Sequence, residues 1–494
     1  MQHHKQRHNP ETSLHYPLHY PETAAQTPPH NNARRGLACS LIILGLCGAP
    51  LFASAAMQEE EVQEFIFDNG LKLLVKEDHR APVVISQIWY KVGGSYELAG
   101  TTGISHALEH MMFQGTEKYP EGEFLRIIAE NGGRNNAFTS ADYTAYFQIL
   151  EKSRLAVSFE LEADRMRNLI INQADFEKEI EVVKEERRLR TEDQPNAYLY
   201  EVAMATAWQT SPYRNPVVGW MADLHNMTVS DLEQWYQLWY APNNATVVVA
   251  GDVKGSEVYA LAKRYFADLK PEQIVPPRVQ PEIEQNGIKR VVVRRAAKLP
   301  SLLMVYKTPG LKTALDSEQI QDWEPYALDV LSHILSGGNS ARFAARLVRG
   351  AEVASTLGSS YSLSNRLDGT FIISGTPGQG RDLQQLEAAV REQITLLQTE
   401  PVTVEELQRV KAQTISSDVY EKDSLFYQAL VLGVFETNGL GWRLADEYVD
   451  NIKAVTAEQL MYVADKYLRD KKLTVAELQP ESDNPAQMDD GHAH

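Results

Sequence analysis

The chain is 494 residues long and 43% hydrophobic, with a formal net charge of −18. That length suits two to four domains around a sizeable core. The acidic balance, with no long basic run, excludes nucleic acid as a partner and suits neutral or basic substrates.

Residues 1–35 are rich in His, Pro, Gln and Asn and hold six of the thirteen histidines. They read as a disordered, solvated leader. ARRGLACSLIILGLCGAPLFASAAMQEE follows. Its order of Arg34-Arg35, an apolar run and small residues is that of a secretory signal, with cleavage expected near Ala55 or Ala56. Pro50 and the shortness of the apolar run argue against a membrane anchor. Both cysteines, Cys39 and Cys47, fall in this segment. The chain beyond it would therefore have neither disulfides nor thiolate chemistry, and no segment long enough to span a membrane. The expected location is exported and periplasmic.

The next elements are strands. EFIFDNGLKLLVKED has a hairpin signal at Asn69-Gly70, and PVVISQIWYKVGG follows. Helices are predicted around 101–114, 121–131, 152–170 and 174–192, with a strand pattern at 135–150. MTVSDLEQWYQLWYAPNNATVVVAGDV closes this half as a helix and a β-branched strand. PEQIVPPRVQPEIEQNG, residues 271–287, is rich in Pro and Glu and reads as a linker.

Beyond it the scheme repeats. Strands are predicted at 288–307, helices at 323–336 and 340–349, strands at 353–376, and helices at 382–398 and 403–413. VTAEQLMYVADKYLRDKKLTVAELQP then pairs with the end of the first half: Thr456 meets Thr228, Leu460 meets Leu232 and Val475 meets Val247. A duplication is implied. The expected fold is α+β, two homologous domains each with an antiparallel-rich sheet packed by helices. Its parts are a leader and signal segment at 1–56, a first domain at 57–270, a linker at 271–287, a second domain at 288–480 and a tail at 481–494.

After the leader only seven histidines remain, and two of them fall in HALEH, residues 106–110. On a helix, His106 and His110 share a face. Two neutral imidazoles at that spacing can hold one zinc ion, and Glu109 beside them can take a proton from its water. This H-x-x-E-H order is the inverse of the H-E-x-x-H zinc helix. A third ligand has to come from elsewhere. The acidic helix DFEKEIEVVKEERRLRTED is the obvious source, since Ile180, Val182, Val183 and Leu189 give it an apolar side. Glu179 and Glu186 lie two turns apart on it, so that one could bind metal while the other orients a ligand. His225 and His333 stand alone and read as structural. NGG at 131–133 and SGG at 336–338 are turns, since no Lys-Ser/Thr follows.

HALEHMMFQGTEKYP, GGRNNAFTSADYTAYF, VVKEERR and YAPNNATVVVAGDV together resemble the pitrilysin/insulinase family of zinc peptidases, which includes the mitochondrial processing peptidases. The resemblance covers nearly all of 60–480. It implies Glu186 as third ligand, with Glu185 the alternative, and one Zn2+ per chain. It also implies Glu109 as general base, Glu179 as the helix's second functional glutamate, and Asn136 and Ala137 as substrate-edge positions. The reaction implied is hydrolysis of peptide bonds in extended peptides or unfolded proteins. The family's second domain usually supplies an Arg and a Tyr seven apart. Arg349 fits the arginine, but the tyrosine position falls on Thr356 or Ser355, and Tyr361 lies too far along. The pair is therefore expected from a partner, in a homodimer or in a heterodimer with a homologous chain. The other reading is a non-catalytic member that binds peptide or scaffolds a complex.

Overall fold

The computed structural model describes residues 61–481. The leader, the signal segment with both cysteines, and the tail beyond Glu481 lie outside the described residues. Among the described residues no helix is long and apolar enough to cross a membrane.

Two sheets organise the chain. The first holds β1 (Gln63–Ile66), β2 (Lys72–Glu77), β3 (Val83–Tyr90), β4 (Arg134–Thr139), β5 (Thr144–Glu151) and β6 (Ala245–Gly251), in the order β1-β2-β6-β3-β5-β4. The second holds β7 (Lys289–Ala296), β8 (Ser301–Thr308), β9 (Ala354–Tyr361), β10 (Gly369–Pro377) and β11 (Leu473–Glu481), in the order β7-β11-β8-β10-β9. In each sheet one pair is parallel, β2 with β6 and β7 with β11, and the other pairs are antiparallel. The second sheet thus repeats the first without a counterpart of β1. The Asn69-Gly70 hairpin forms as its residues require, with Gly70 at φ 85° in the left-handed region.

The first half carries α1 (Ile104–Met111), α2 (Glu123–Glu130), α3 (Leu155–Asn168), α4 (Gln173–Arg187), α5 (Pro195–Ala207), α6 (Met221–Asn226), α7 (Val229–Trp239) and α8 (Gly255–Phe266). The second carries α9 (Leu311–Leu315), α10 (Glu324–Ser336), α11 (Leu383–Thr399), α12 (Val404–Glu421), α13 (Leu425–Thr437), α14 (Tyr448–Ala454) and α15 (Ala457–Tyr467). The duplicated ends hold in detail. Thr228 and Thr456 cap α7 and α15 by the same reciprocal hydrogen bonds with the third residue of each helix.

Several elements differ from the sequence reading. The pattern at 135–150 is a hairpin of two strands. The helix expected to 192 ends as an α-helix at Arg187 and continues as a π-helical turn over 188–192. The helix expected at 340–349 is π-helical over 343–348. The 403–413 helix extends to Glu421, and the last strand runs through Glu481.

The halves interlock by exchanging helices, within one compact unit that begins at Glu61. Leu73, Val75, Ile88 and Val247 face the helices of the first half. Side chains alternate across a strand, so Leu74, Ile85, Trp89 and Val248 face the other way. There they are covered by Ala429, Leu430, Leu432 and Val434 of α13, from the second half. Reciprocally, Leu199, Ala203 and Ala207 of α5 cover Val293, Leu303, Val305 and Ala476 of the second sheet.

Candidate active site

The site is built on α1. Its apolar residues Ile104, Ala107, Leu108 and Met111 are buried, which leaves His106, Glu109 and His110 on the face toward α4 and β4. The helix start is fixed from outside. The Glu97 carboxylate accepts the N–H groups of Gly103 and Ser105, at 2.6 and 2.9 Å, satisfying donors that a helix N-terminus otherwise leaves free. Gly103 sits at φ 86°, and a Cβ there would lie 2.5 Å from the Val218 carbonyl. Burial pushes the Glu97 carboxyl up to about 7.

Helix α4 brings the distant carboxylates. Asn172 caps it by accepting the Asp175 N–H. Its buried side is Phe176, Ile180, Val183 and Arg187. Val182 and Leu189, expected on that side, are about half exposed. Glu186 Oε2 lies 3.8 Å from His106 Nε2 and 3.3 Å from His110 Nε2, and each of the three residues offers a ligand atom within 4.8 Å of the others. Glu185, the alternative, is exposed and pairs with Arg188. Glu179 Oε2 stands 3.2 Å from His110 Nδ1, while its other oxygen accepts Gln114 Nε2 at 2.9 Å. A carboxylate on Nδ1 fixes the ring so that Nε2 faces Glu186.

The electrostatics suit a cation. Burial, with His110 alongside, pushes His106 down to about 4, so its ring is neutral. A hydrogen bond from His110 holds Glu186 down at about 2 against its burial, helped by the charge of Arg190. Burial lowers the His110 affinity for a proton, but the Glu186 hydrogen bond and the Glu109 and Glu186 charges outweigh it and hold the ring above its ordinary value. Two imidazole nitrogens and one carboxylate oxygen are a donor set that fits zinc. Among the described residues this is the one group of three or more His, Cys, Asp or Glu that could hold a metal ion. Glu109 is partly buried beside it, pushed up to about 7 by desolvation, and accepts the Thr139 hydroxyl of β4.

Asn136 and Ala137 lie on β4, the outer strand of the sheet, which pairs only with β5. Asn136 is exposed and Ala137 packs on the core. Arg349 is not brought to this group by any described contact. It follows the 343–348 turn and donates to the Asn339 carbonyl in its own half. Tyr361 is buried, its hydroxyl donating to the Pro309 carbonyl at 2.7 Å. Arg366, in contrast, does cross between halves near the first sheet. Its Nη2 donates to Ser95 Oγ at 2.7 Å, its backbone N–H donates to Asp142 at 3.1 Å, and it stacks on Tyr96.

Thr139, Gln114, Glu97 and Arg366 were not singled out from sequence. Thr139 and Gln114 lie inside the stretches that resemble the family, which was the signal available for them. Arg366 had none.

In the second half α10 stands where α1 stands in the first: it packs on α12 and α15 as α1 packs on α4 and α7, and starts equally far ahead of its edge strand. Tyr326-Ala327-Leu328-Asp329-Val330 then falls opposite HALEH. Both histidines are replaced by residues that cannot ligate as imidazoles do, so among the described residues only the first half carries the candidate metal set.

An α+β fold with a two-histidine, one-glutamate group on one half is a candidate metal-binding architecture, and comparison with known proteins places it in a family. The sequence pattern of Insulinase (Peptidase family M16) matches residues 72–219, and that of the Peptidase M16 inactive domain matches 226–414. The chain belongs to the insulinase family, peptidase family M16. It is 31% identical over 462 residues to the zinc protease PqqE of Helicobacter pylori, covering 91% of this chain and 100% of that one. It is 24% identical to the uncharacterized zinc protease YmxG of Bacillus subtilis, covering 86% and 100%. The crystal structure of a protease from Helicobacter pylori superposes with a TM-score of 0.79 at 28% identity, covering 85% of this chain and all of that one. The periplasmic protease PqqL from Escherichia coli shares the fold, with a TM-score of 0.70 at 18% identity, covering 87% of this chain and 49% of that one.

Proposed function

We propose that the chain is an exported zinc-dependent endopeptidase that hydrolyses peptide bonds in extended peptides or unfolded proteins. The observation that carries this reading is the convergence of His106, His110 and Glu186 beside a partly buried Glu109. His106, His110 and Glu186 would hold one zinc ion, with Glu179 orienting His110. Bound zinc supplies Lewis acidity, acidifying water and polarising the scissile carbonyl. Glu109 accepts the proton of the attacking water and returns it to the leaving amine. A carboxylate beside the metal set can serve both transfers. The substrate adds as a strand to the edge of β4 at Asn136 and Ala137, held through its main chain, which gives weak sequence preference.

The working form pairs the chain with a homologous partner, identical or not. In this reading the partner supplies the Arg/Tyr pair, and Arg349 is this chain's own candidate substrate-binding arginine. The domains run 57–270 and 288–480 with 271–287 between them. Export to the periplasm rests on the signal-like segment, with the periplasmic protease PqqL of Escherichia coli, which shares the fold, in support.

The test is zinc content of the purified full chain together with cleavage of a quenched peptide before and after chelation. Glu109→Gln is expected to keep zinc and lose activity by roughly 10²–10⁴-fold. Unimpaired cleavage by that variant would refute the assignment. Zinc binding without cleavage, even with a homologous partner added, favours the non-catalytic peptide-binding reading.

A further inference from the structure

We infer that the second half positions the third metal ligand of the first, through Arg295 and the buried Arg187–Glu201 pair. The inference rests on the reading of His106, His110 and Glu186 as the metal set.

Glu186 sits one residue from the end of α4, where the chain leaves the α-helix for the π-helical turn 188–192. Its rotation and height are therefore set by what holds that end. The next residue, Arg187, makes two parallel bonds to Glu201 of α5, at 2.7 and 2.8 Å, with both side chains almost wholly buried. A forked guanidinium–carboxylate pair fixes direction as well as distance. Buried, it leaves an uncompensated charge if either partner goes. So α4 cannot slide or turn at Glu186 without moving α5.

Helix α5, in turn, is seated on the other half. Leu199, Ala203 and Ala207 lie against the second sheet, while Glu201, between them, faces α4. The π-helical turn is gripped from the same side. Arg295 of β7 donates to the Glu192 carbonyl at 2.6 Å and stacks on Tyr198 at 3.8 Å. Arg187 Nε also stands 3.4 Å from the Glu192 carboxylate. A continuous path of ion pair, hydrogen bond and packed helix thus runs from β7 to the residue beside Glu186. His106 and His110 take no part in it, since both stand on α1. Seating of the second half therefore selects the position of one ligand relative to the other two. Arg295, Arg187 and Glu201 are positioning residues.

The experiment uses the full chain stripped of metal and titrated with zinc against a chromogenic chelator. The visible absorption of the cobalt(II) form serves as a direct report of ligand geometry. Glu201→Gln, which keeps shape but removes the charge, is expected to weaken zinc binding by about 10-fold or more and to alter the cobalt bands. Arg295→Ala is expected to act in the same direction by a smaller factor. Arg295→Lys, which keeps a donor for the carbonyl but not the stack, should fall between Arg295→Ala and wild type. If Glu201→Gln does not fold, Arg295→Ala and Arg295→Lys carry the test. Wild-type zinc affinity and an unchanged cobalt spectrum in the folded variants would overturn this inference alone. Failure of the wild-type chain to bind zinc or cobalt would overturn the metal-site reading beneath it.

Discussion

Glu179 shows how far a single residue's role follows from its surroundings. It is held from two sides, by His110 Nδ1 and by the Gln114 amide, and it lies across from the histidine nitrogen that faces Glu186. A carboxylate so placed orients its histidine and raises the basicity of the ring. Glu179→Ala is therefore expected to lower zinc affinity by about 10- to 100-fold, read by competition titration, with the secondary structure unchanged by circular dichroism. Sequence spacing identified Glu179 and Glu186 as a pair on one helix face. It could not say which would bind and which would orient, because that depends on which one lies opposite the imidazole Nε2 atoms.

At the scale of elements, the exchanged helices α5 and α13 were among those sequence reasoning passed over. An amphipathic helix advertises itself by a one-sided apolar stripe. PNAYLYEVAMATA and LFYQALVLGVFET show none, because α5 is packed on both sides and most of α13 is buried. The packing of α13 is close enough to demand glycine: a Cβ on Gly433 would lie 2.0 Å from the Trp89 ring, itself fully buried in the first sheet. Gly433→Val should therefore force the helix off the sheet, at a cost of about 1–3 kcal/mol, measured as a lower midpoint in denaturant unfolding. A variant as stable as wild type would show that α13 is more loosely seated than the structure indicates. The strands, in contrast, were read closely, since a β-branched run bounded by turn residues marks a strand wherever it ends up in the sheet.

Across the whole molecule, the joint between halves is polar as well as apolar. Glu282 lies in the segment read as a linker. Its carboxylate accepts the N–H groups of Gln209, Thr210 and Ser211 in the first half and pairs with Lys307 of β8 in the second. Burial alone would raise its pKa, but Lys307 and the three N–H donors outweigh it and hold the group at about 2, against an ordinary 4.5. In the unfolded chain this carboxylate takes up its proton first as the pH falls. Its contribution to stability is therefore complete above about 4.5 and is lost as the pH drops toward 2. Glu282→Gln should be less stable than wild type at pH 7, and the difference should vanish near pH 2, as followed by urea unfolding at each pH. A difference that persisted unchanged at low pH would count against this clamp.

The sequence by itself determined the candidate metal-binding residues of this protein and its duplicated plan. Imidazole spacing along one helix, strand-forming runs, capping threonines and the stretches resembling the pitrilysin/insulinase family are all local, and local patterns survive in one dimension. Only the tertiary structure decided that Glu186 and not Glu185 stands against the two histidines. The same holds for Thr139 reaching Glu109, for Arg366 as the arginine that crosses to Ser95 and Asp142, and for each sheet being roofed by the other half's helix. These facts depend on rotations of whole elements about one another. Burial on several faces erases the periodicity that would otherwise announce such contacts along the chain.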